Sequence, residues 1–358
     1  MRKTTLAIAI IALTAGTFSA HAEGTSADEK MVLEQSIYGK ISPKSVAASG
    51  TGLVSAHNMM YSHTVTLYDG ISGDLVATIP DSVFLADFGY KKYSGLYRGA
   101  PVEGAFSPDG KYLYFTNYAM YGKGFKKEGH DTCSPASGYD SSFLSRVNLE
   151  SKKIDAVYPV GSVPKVVKVT PDNKYILVSN WCSYTLTVIS VASGKTIKNI
   201  KIGRYPRGIE VSADGSVAYV AEMGGSNIHR IDLTDFSKTL IPIGSNPRAI
   251  VLSPDGRKLY ATLNLAGKVI AWDLEGNKAI RSVKTGEAAR SLAISSDGTA
   301  LFVVNFKSGT MSKVSTKGMK VLQTIKVCQE PIGITYDSST NKTWVACYGG
   351  AIKVFANR

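Results

Sequence analysis

Pro247-Arg248-Ala249-Ile250-Val251-Leu252-Ser253-Pro254-Asp255-Gly256-Arg257-Lys258-Leu259-Tyr260-Ala261-Thr262-Leu263 is the stretch that decides the fold. Ile250 and Leu252, then Leu259 and Ala261, alternate with their neighbours, as strands buried on one face must. Asp255-Gly256 between the two runs supplies the left-handed backbone of a tight hairpin. Stretches of the same build start at Val163-Pro164-Lys165, Tyr205-Pro206-Arg207, Ala288-Ala289-Arg290 and Glu330-Pro331-Ile332. Their turns are Thr170-Pro171-Asp172-Asn173, Ser212-Ala213-Asp214-Gly215 and Ser295-Ser296-Asp297-Gly298 in the three copies with a polar turn of this type. The anchor positions 164, 206, 247, 289 and 331 are 41 or 42 residues apart, which is the size of a four-stranded propeller blade.

Working outward, each hairpin is followed by a third strand, such as 185–191 or 269–274, and a fourth, such as 196–200 or 279–283. Two earlier copies are less regular: Pro101 to Asn117, with Ser107-Pro108-Asp109-Gly110 at its turn, and Pro43 to Asn58, with Ser49-Gly50-Thr51-Gly52. That makes seven. The last copy ends after its third strand, and Met31-Val32-Leu33-Glu34-Gln35-Ser36-Ile37 can supply the fourth. The expected fold is therefore all-β: a seven-bladed β-propeller with four-stranded blades, closed by an N-terminal strand that completes the last blade and protects both sheet edges. Residues 23–358 form this single domain. No long stretch outside the N-terminus carries a 3.6-residue period, which argues against a helical solenoid.

Tyr114-Phe115-Thr116-Asn117, Val178-Ser179-Asn180 and Phe302-Val303-Val304-Asn305 each follow such a turn. They resemble the YVTN-repeat β-propellers, and the layout is similar to their exported YncE-like branch. The resemblance runs from Pro43 to the end of the chain. It implies the propeller fold and, since propellers host many activities, little about function. Glu222, Leu263 and Cys347 stand where the repeat has asparagine, so a site built on the asparagines is not expected.

The N-terminus reads as a cleavable leader. Arg2 and Lys3 precede an apolar run from Leu6 to Leu13, and Ala20-His21-Ala22 places small residues at the cleavage positions. The apolar run is too short for a permanent span, and no later stretch offers a transmembrane segment. Residues 1–22 are thus expected to be a signal peptide cut near Ala22, leaving a periplasmic or secreted protein. The formal charge of +13 falls to +11 when Arg2 and Lys3 leave. Such an excess favours anionic partners.

In a propeller the loop before strand one and the loop after strand two share a face, here the top. Long segments collect there, at 81–99 and 118–141, and long loops in a compact repeat fold are where function concentrates. The residue after the anchor is Lys44, Lys165, Arg207, Arg248 and Arg290 in five of seven copies. This position begins the innermost strand, so the expectation is a ring of cations at the channel mouth. Just past strand two, Tyr118, Trp181, Phe306 and Tyr348 add aromatic rings on the same face. Cations interleaved with stacking surfaces suit an anionic polymer such as single-stranded nucleic acid or an acidic glycan. The competing explanation is that a repeated cation does a repeated structural job, bridging neighbouring blades.

The leading reading is an exported binding or scaffold propeller for an anionic polymer or a protein partner in the cell envelope. The enzymatic alternative is a lactonase-like hydrolase, which needs acids and a histidine converging on the channel. Glu222 is the one acid at a suitable position. His57 and His130 are placed to reach the top face, while His63 and His229 belong in or beside third strands. No nucleophile elbow or phosphate-binding loop is present, and no catalytic residue or cofactor is expected. His130, Asp131 and Cys133 form a cluster without a known metal spacing, so no metal is expected either.

Four cysteines in an oxidising compartment imply disulfides. Cys328 aligns with the loop before strand one of the last copy, and Cys347 ends strand two of that copy. Cys133 lies in the 118–141 insertion, and Cys182 follows strand two of the next copy. Both pairs share the top face, so the expected bridges are Cys133–Cys182 and Cys328–Cys347.

Overall fold

The computed structural model describes residues 24–358 and folds them into seven antiparallel sheets. The leader and its cleavage point lie outside the described residues. Blades 3 to 6 run from the channel outward in strict sequence order, for example Pro247–Leu252, Lys258–Leu263, Lys268–Asp273 and Lys278–Lys284 in blade 5. Blade 1 follows the same order, from Pro43–Ala48 to Leu75–Pro80.

Blade 7 combines Pro331–Asp337, Lys342–Cys347 and Ala351–Asn357 with Met31–Ile37, which pairs antiparallel to the C-terminal strand from Met31↔Asn357 to Ile37↔Ile352. The seam is therefore closed by the N-terminal strand. Backbone bonds between Lys30 and Arg358 extend it, and the Gln323 side chain of blade 6 both accepts from the Met31 N–H and donates to the Met31 carbonyl.

The blades stack through apolar faces. Leu177, Leu186 and Val188 of blade 3 meet Ile209, Ala218 and Val220 of blade 4 in one buried cluster, and equivalent clusters recur round the ring. The turns behave as their residues require. Gly215, Gly256 and Gly298 take φ of +73°, +68° and +69°, and in each copy a serine Oγ donates to the turn aspartate. Asn173 fills the same left-handed position in blade 3 at +55°.

Blade 2 departs from expectation. Residues 81–99 are not a loop: Ser82–Phe84 adds a fifth strand, Leu85–Phe88 forms a short 3-10 turn, and from Leu96 the chain already belongs to strand one. The partner strand continues to Tyr121, so the inner hairpin of blade 2 projects beyond the top face. Its height comes from Tyr93, Tyr97, Phe125 and Phe143, whose rings pack stacked or edge-on around Met120 and Val83. Among the described residues no helix is long and apolar enough to cross a membrane.

Candidate functional site: the channel mouth

Every blade carries the same irregularity at the same place. The register between strands one and two slips just after the anchor, between Pro43 and Ser45, Pro101 and Gly104, Pro164 and Val167, Pro206 and Ile209, Pro247 and Ile250, Ala289 and Ser291, and Pro331 and Gly333. A bulge breaks the alternation of side chains and re-aims one of them. Here the re-aimed position is the one after the anchor, which is why Lys44, Lys165, Arg207, Arg248 and Arg290 converge on the mouth. The residue before the anchor contributes as well. Val163, Tyr205, Asn246, Ala288 and Glu330 all have φ between 53° and 58°, a conformation that costs a non-glycine residue about 1–2 kcal/mol. Its recurrence in five blades shows that the surrounding fold enforces it.

The competing structural explanation for the cations can be tested against their backbones. Strand-two hydroxyls reach across to the next blade: Thr116 Oγ1 donates to the Lys165 carbonyl at 2.7 Å and Ser179 Oγ to the Arg207 carbonyl at 2.9 Å. In blade 7 the same position is Ile332, and its carbonyl accepts from Ser291 Oγ at 2.8 Å. Bridging between blades is thus a backbone function that needs no cation. Of the side chains themselves, Lys165 and Arg207 add ion pairs to blade 2, whereas Lys44, Arg248 and Arg290 make none among the described residues.

They are poorly compensated. Lys165 Nζ pairs with Asp131 at 3.0 Å and Arg207 Nη2 with Glu103 at 3.0 Å. Lys44, Arg248 and Arg290 have no acidic partner among the described residues. Arg248 donates to the Met223 sulfur at 3.3 Å, and Arg290 Nε is buried without an acceptor. Burial first, and then the other cations, hold the Lys44 ammonium well below its ordinary value. Burial likewise pushes Lys165 down to about 7, against the pull of Asp131. Asp131 is drawn down to about 2 by Lys165, Lys44 and Arg207, against its own desolvation. Arginine stays charged under such pressure, so burial and mutual repulsion at Arg248 and Arg290 become a cost that a bound anion would relieve. Arg207, Arg248, Arg290 and Glu103 line a channel cavity of about 460 Å³ that continues down the axis to Lys168 and Glu210, themselves paired at 2.8 Å.

The four aromatic residues do not form open stacking platforms, and this corrects the expectation. Each is a lid or floor for a cation. The Lys165 ammonium sits 4.4 Å from the Tyr118 ring centroid and 5.2 Å from that of Trp181. Arg290 lies 4.1 Å over Phe306 and Lys44 5.3 Å over Tyr348. Trp181 is buried, stacked on Tyr205 at 4.4 Å, with its Nε1 donating to the Asp131 carbonyl. Only Tyr348 is substantially exposed. The sequence reading missed both acids of the mouth. The available signal for Glu103 was that it is the one acid two residues past an anchor, where the other copies have Ser45, Val166, Gly208, Ala249, Ser291 and Gly333.

The remaining candidates fall elsewhere. His57 does not reach the top face; it is buried, with Nδ1 2.9 Å from Ser45 Oγ. His130 is exposed and its Nδ1 accepts from the Thr132 N–H, while Cys133 is consumed by a disulfide. Glu222 accepts from the Arg204 N–H and lies 3.2 Å from His229 Nε2. That pair belongs to strands two and three of blade 4 and is not among the residues lining the channel cavity. The repeat asparagines are interior struts: Asn180 Oδ1 accepts from the Gly161 N–H, and its amide donates to Thr185 and Thr187. The disulfides form as expected, Cys133–Cys182 and Cys328–Cys347, with Cα separations of 5.4 and 6.2 Å.

This geometry defines a seven-bladed propeller with a cationic channel mouth. Residues 123–215 match the family described as YNCE-like beta-propeller, and the seven-bladed ring is of the kind that likeness implies. The chain is also similar to antigen Lp49 of Leptospira interrogans, at 30% identity over 133 residues, covering 34% of this chain and 29% of the antigen. The match therefore spans less than a third of that relative. Among solved structures, hydrazine synthase of Kuenenia stuttgartiensis superimposes with a TM-score of 0.69 over 89% of this chain and 96% of its own, at 17% identity. At that identity the likeness is one of fold.

Proposed function

We propose that this chain is an exported binding propeller that grips an anionic group of a polymer, nucleic acid or acidic glycan, at its channel mouth. The observation that carries the reading is the presence of three half-buried or buried cations, Lys44, Arg248 and Arg290, that form no ion pair with an acid among the described residues. Desolvated positive charges gain most from an anion because little water remains to compete. The mouth is recessed, so the polymer would present an end or a looped phosphate or carboxylate rather than lie along a groove. Export is supported by the leader-like N-terminus and by two disulfides, which persist in oxidising compartments.

The test is a titration of the mature protein with a short single-stranded oligonucleotide and with a sulfated glycan, at several salt concentrations. The expected affinity falls steeply with salt. Replacing Arg248 and Arg290 together by Gln should weaken binding by about tenfold or more while leaving the fold cooperative. Binding unchanged in that double variant, or absent from the parent at low salt, would sink the proposal.

A further inference from the structure

The outer wall of the ring is unevenly charged. The outermost strand of blade 5, Lys278–Lys284, carries Lys278, Arg281 and Lys284, and that of blade 6, Lys320–Lys326, carries Lys320 and Lys326. Neither strand holds an acid. All five residues are exposed, and none forms an ion pair among the described residues. Arg281 donates to the Gly318 carbonyl of blade 6 at 3.2 Å, which ties the two strands side by side. The outermost strands of blades 3 and 4 continue the trend with Lys198, Lys201 and Lys238, again without an acid.

Lysine is a common guard of an exposed sheet edge, and every blade has such an edge. The other three blades guard theirs differently. Leu75–Pro80 of blade 1 has no charge, Met31–Ile37 of blade 7 has Glu34 alone, and Lys153–Val160 of blade 2 offsets Lys153 with Asp155. Edge protection is a need of all seven blades, whereas the uncompensated cations gather on one side.

Aliphatic side chains stand among them, and a repeated irregularity puts them there. The pairing of strands three and four skips one residue, Ile280 in blade 5 and Leu322 in blade 6. A bulge of this kind turns its extra side chain away from the ladder, and these two are 50% and 46% exposed. The bulge itself does not require an apolar residue, since the skipped residue is Asp155 in blade 2 and Glu34 in blade 7. Lysines flanking outward aliphatics, with no aromatic ring for base stacking in either strand, match a lipid surface: ammonium groups meet anionic headgroups while short apolar side chains enter the boundary below. The wall of a propeller is convex, so a flat bilayer meets about two neighbouring blades. Among the described residues no helix is long and apolar enough to cross a bilayer, so the contact is peripheral.

We propose that the outer wall of blades 5 and 6 rests on an anionic lipid surface, with the propeller axis along the membrane and the channel mouth left open. The test floats the mature protein with vesicles of phosphatidylglycerol and phosphatidylcholine, and with phosphatidylcholine alone. Binding to the anionic vesicles is expected to be at least about tenfold tighter. Lys278→Glu, Lys284→Glu and Lys326→Glu together should weaken it by about tenfold or more, and Ile280→Ser with Leu322→Ser by about threefold, each in a variant that melts like the parent. Reversing Lys91, Lys92 and Lys123, exposed lysines of blade 2, should change it by less than about twofold. Arg248→Gln with Arg290→Gln should bind vesicles as the parent does, which reads the wall apart from the mouth. Equal loss from the two lysine triples would reduce the effect to net charge and overturn the proposal, as would loss in the arginine pair or no binding by the parent. A sulfated glycan captured through Lys278, Lys284 and Lys326 while vesicles stay unbound would assign the wall to a polymer instead.

Discussion

At the scale of single residues, the clearest pressure point outside the mouth is Asp81. It is fully buried at the start of the blade 2 insertion, neither carboxylate oxygen has a hydrogen-bond partner, and Asn117 Oδ1 close by is also unpartnered. Burial pushes its carboxyl up to about 8. The folded state therefore holds this proton more tightly than the unfolded chain, whose carboxyl titrates near 4. The site's contribution is fully present below about pH 4 and is lost as pH rises toward about 8. Asp81→Asn should remove that slope and raise the melting temperature at pH 8 by about 3 °C or more, with little change at pH 4. Equal melting shifts at both pH values would show that Asp81 is not titrating in the fold. No sequence signal marked this residue, because burial of an acid depends on a strand pairing that no repeat predicts. The five cations, in contrast, were legible as a column in the repeat. Their partners were not placed: Asp131 lies in the blade 2 insertion, which no other copy has, and Glu103 stands at a position where no other copy carries an acid.

At the scale of elements, the bulges and the insertion divide the work. The bulge after each anchor aims a side chain at the mouth, and alternation alone gives no hint of it, since an extra residue in a strand looks like any other. The insertion brings a competing charge. The Asp131 side chain is 72% exposed yet paired with a buried lysine, and the adjacent Cys133 is tied to blade 3 through Cys182. The Tyr184 hydroxyl donates to the Cys133 carbonyl at 2.7 Å, fixing the same point. An acid fixed there occupies part of the space an incoming anion needs. Asp131→Asn is expected to tighten binding of the oligonucleotide or glycan by about threefold to tenfold, the range of a partly screened charge. Calorimetry at constant salt would measure it, and a weaker complex would mean that Asp131 orders the mouth rather than competing for it. The disulfides themselves were readable from the alignment, since top-face positions of one blade or of adjacent blades lie close in any propeller.

At the scale of the whole molecule, the fold was legible because a period of 41 or 42 residues leaves few architectures, and because the missing fourth strand of the last copy had one candidate. Met31–Ile37 fills it, and Met31 and Phe355 enter the core between blades 6 and 7. Deleting residues 31–37 should expose the edge of Ala351–Asn357 and open the seam. The expected readout is loss of a single cooperative melting transition and growth of aggregates in light scattering. A truncated protein that melts like its parent would remove the closure argument.

That seam also sets an order of events. Met31 is among the first residues of the domain to be synthesised and Asn357, its partner, among the last. A ribosome adds roughly 5–20 residues per second, so the early strand spends on the order of half a minute without its mate. Throughout that interval Val32 and Leu33, still partly exposed even in the finished protein, belong to an unpaired strand that any other edge could claim. Blades 1 to 6 can assemble as they emerge, but the circle cannot shut until the C-terminus is free. The nascent chain is therefore most in need of a chaperone at its oldest end.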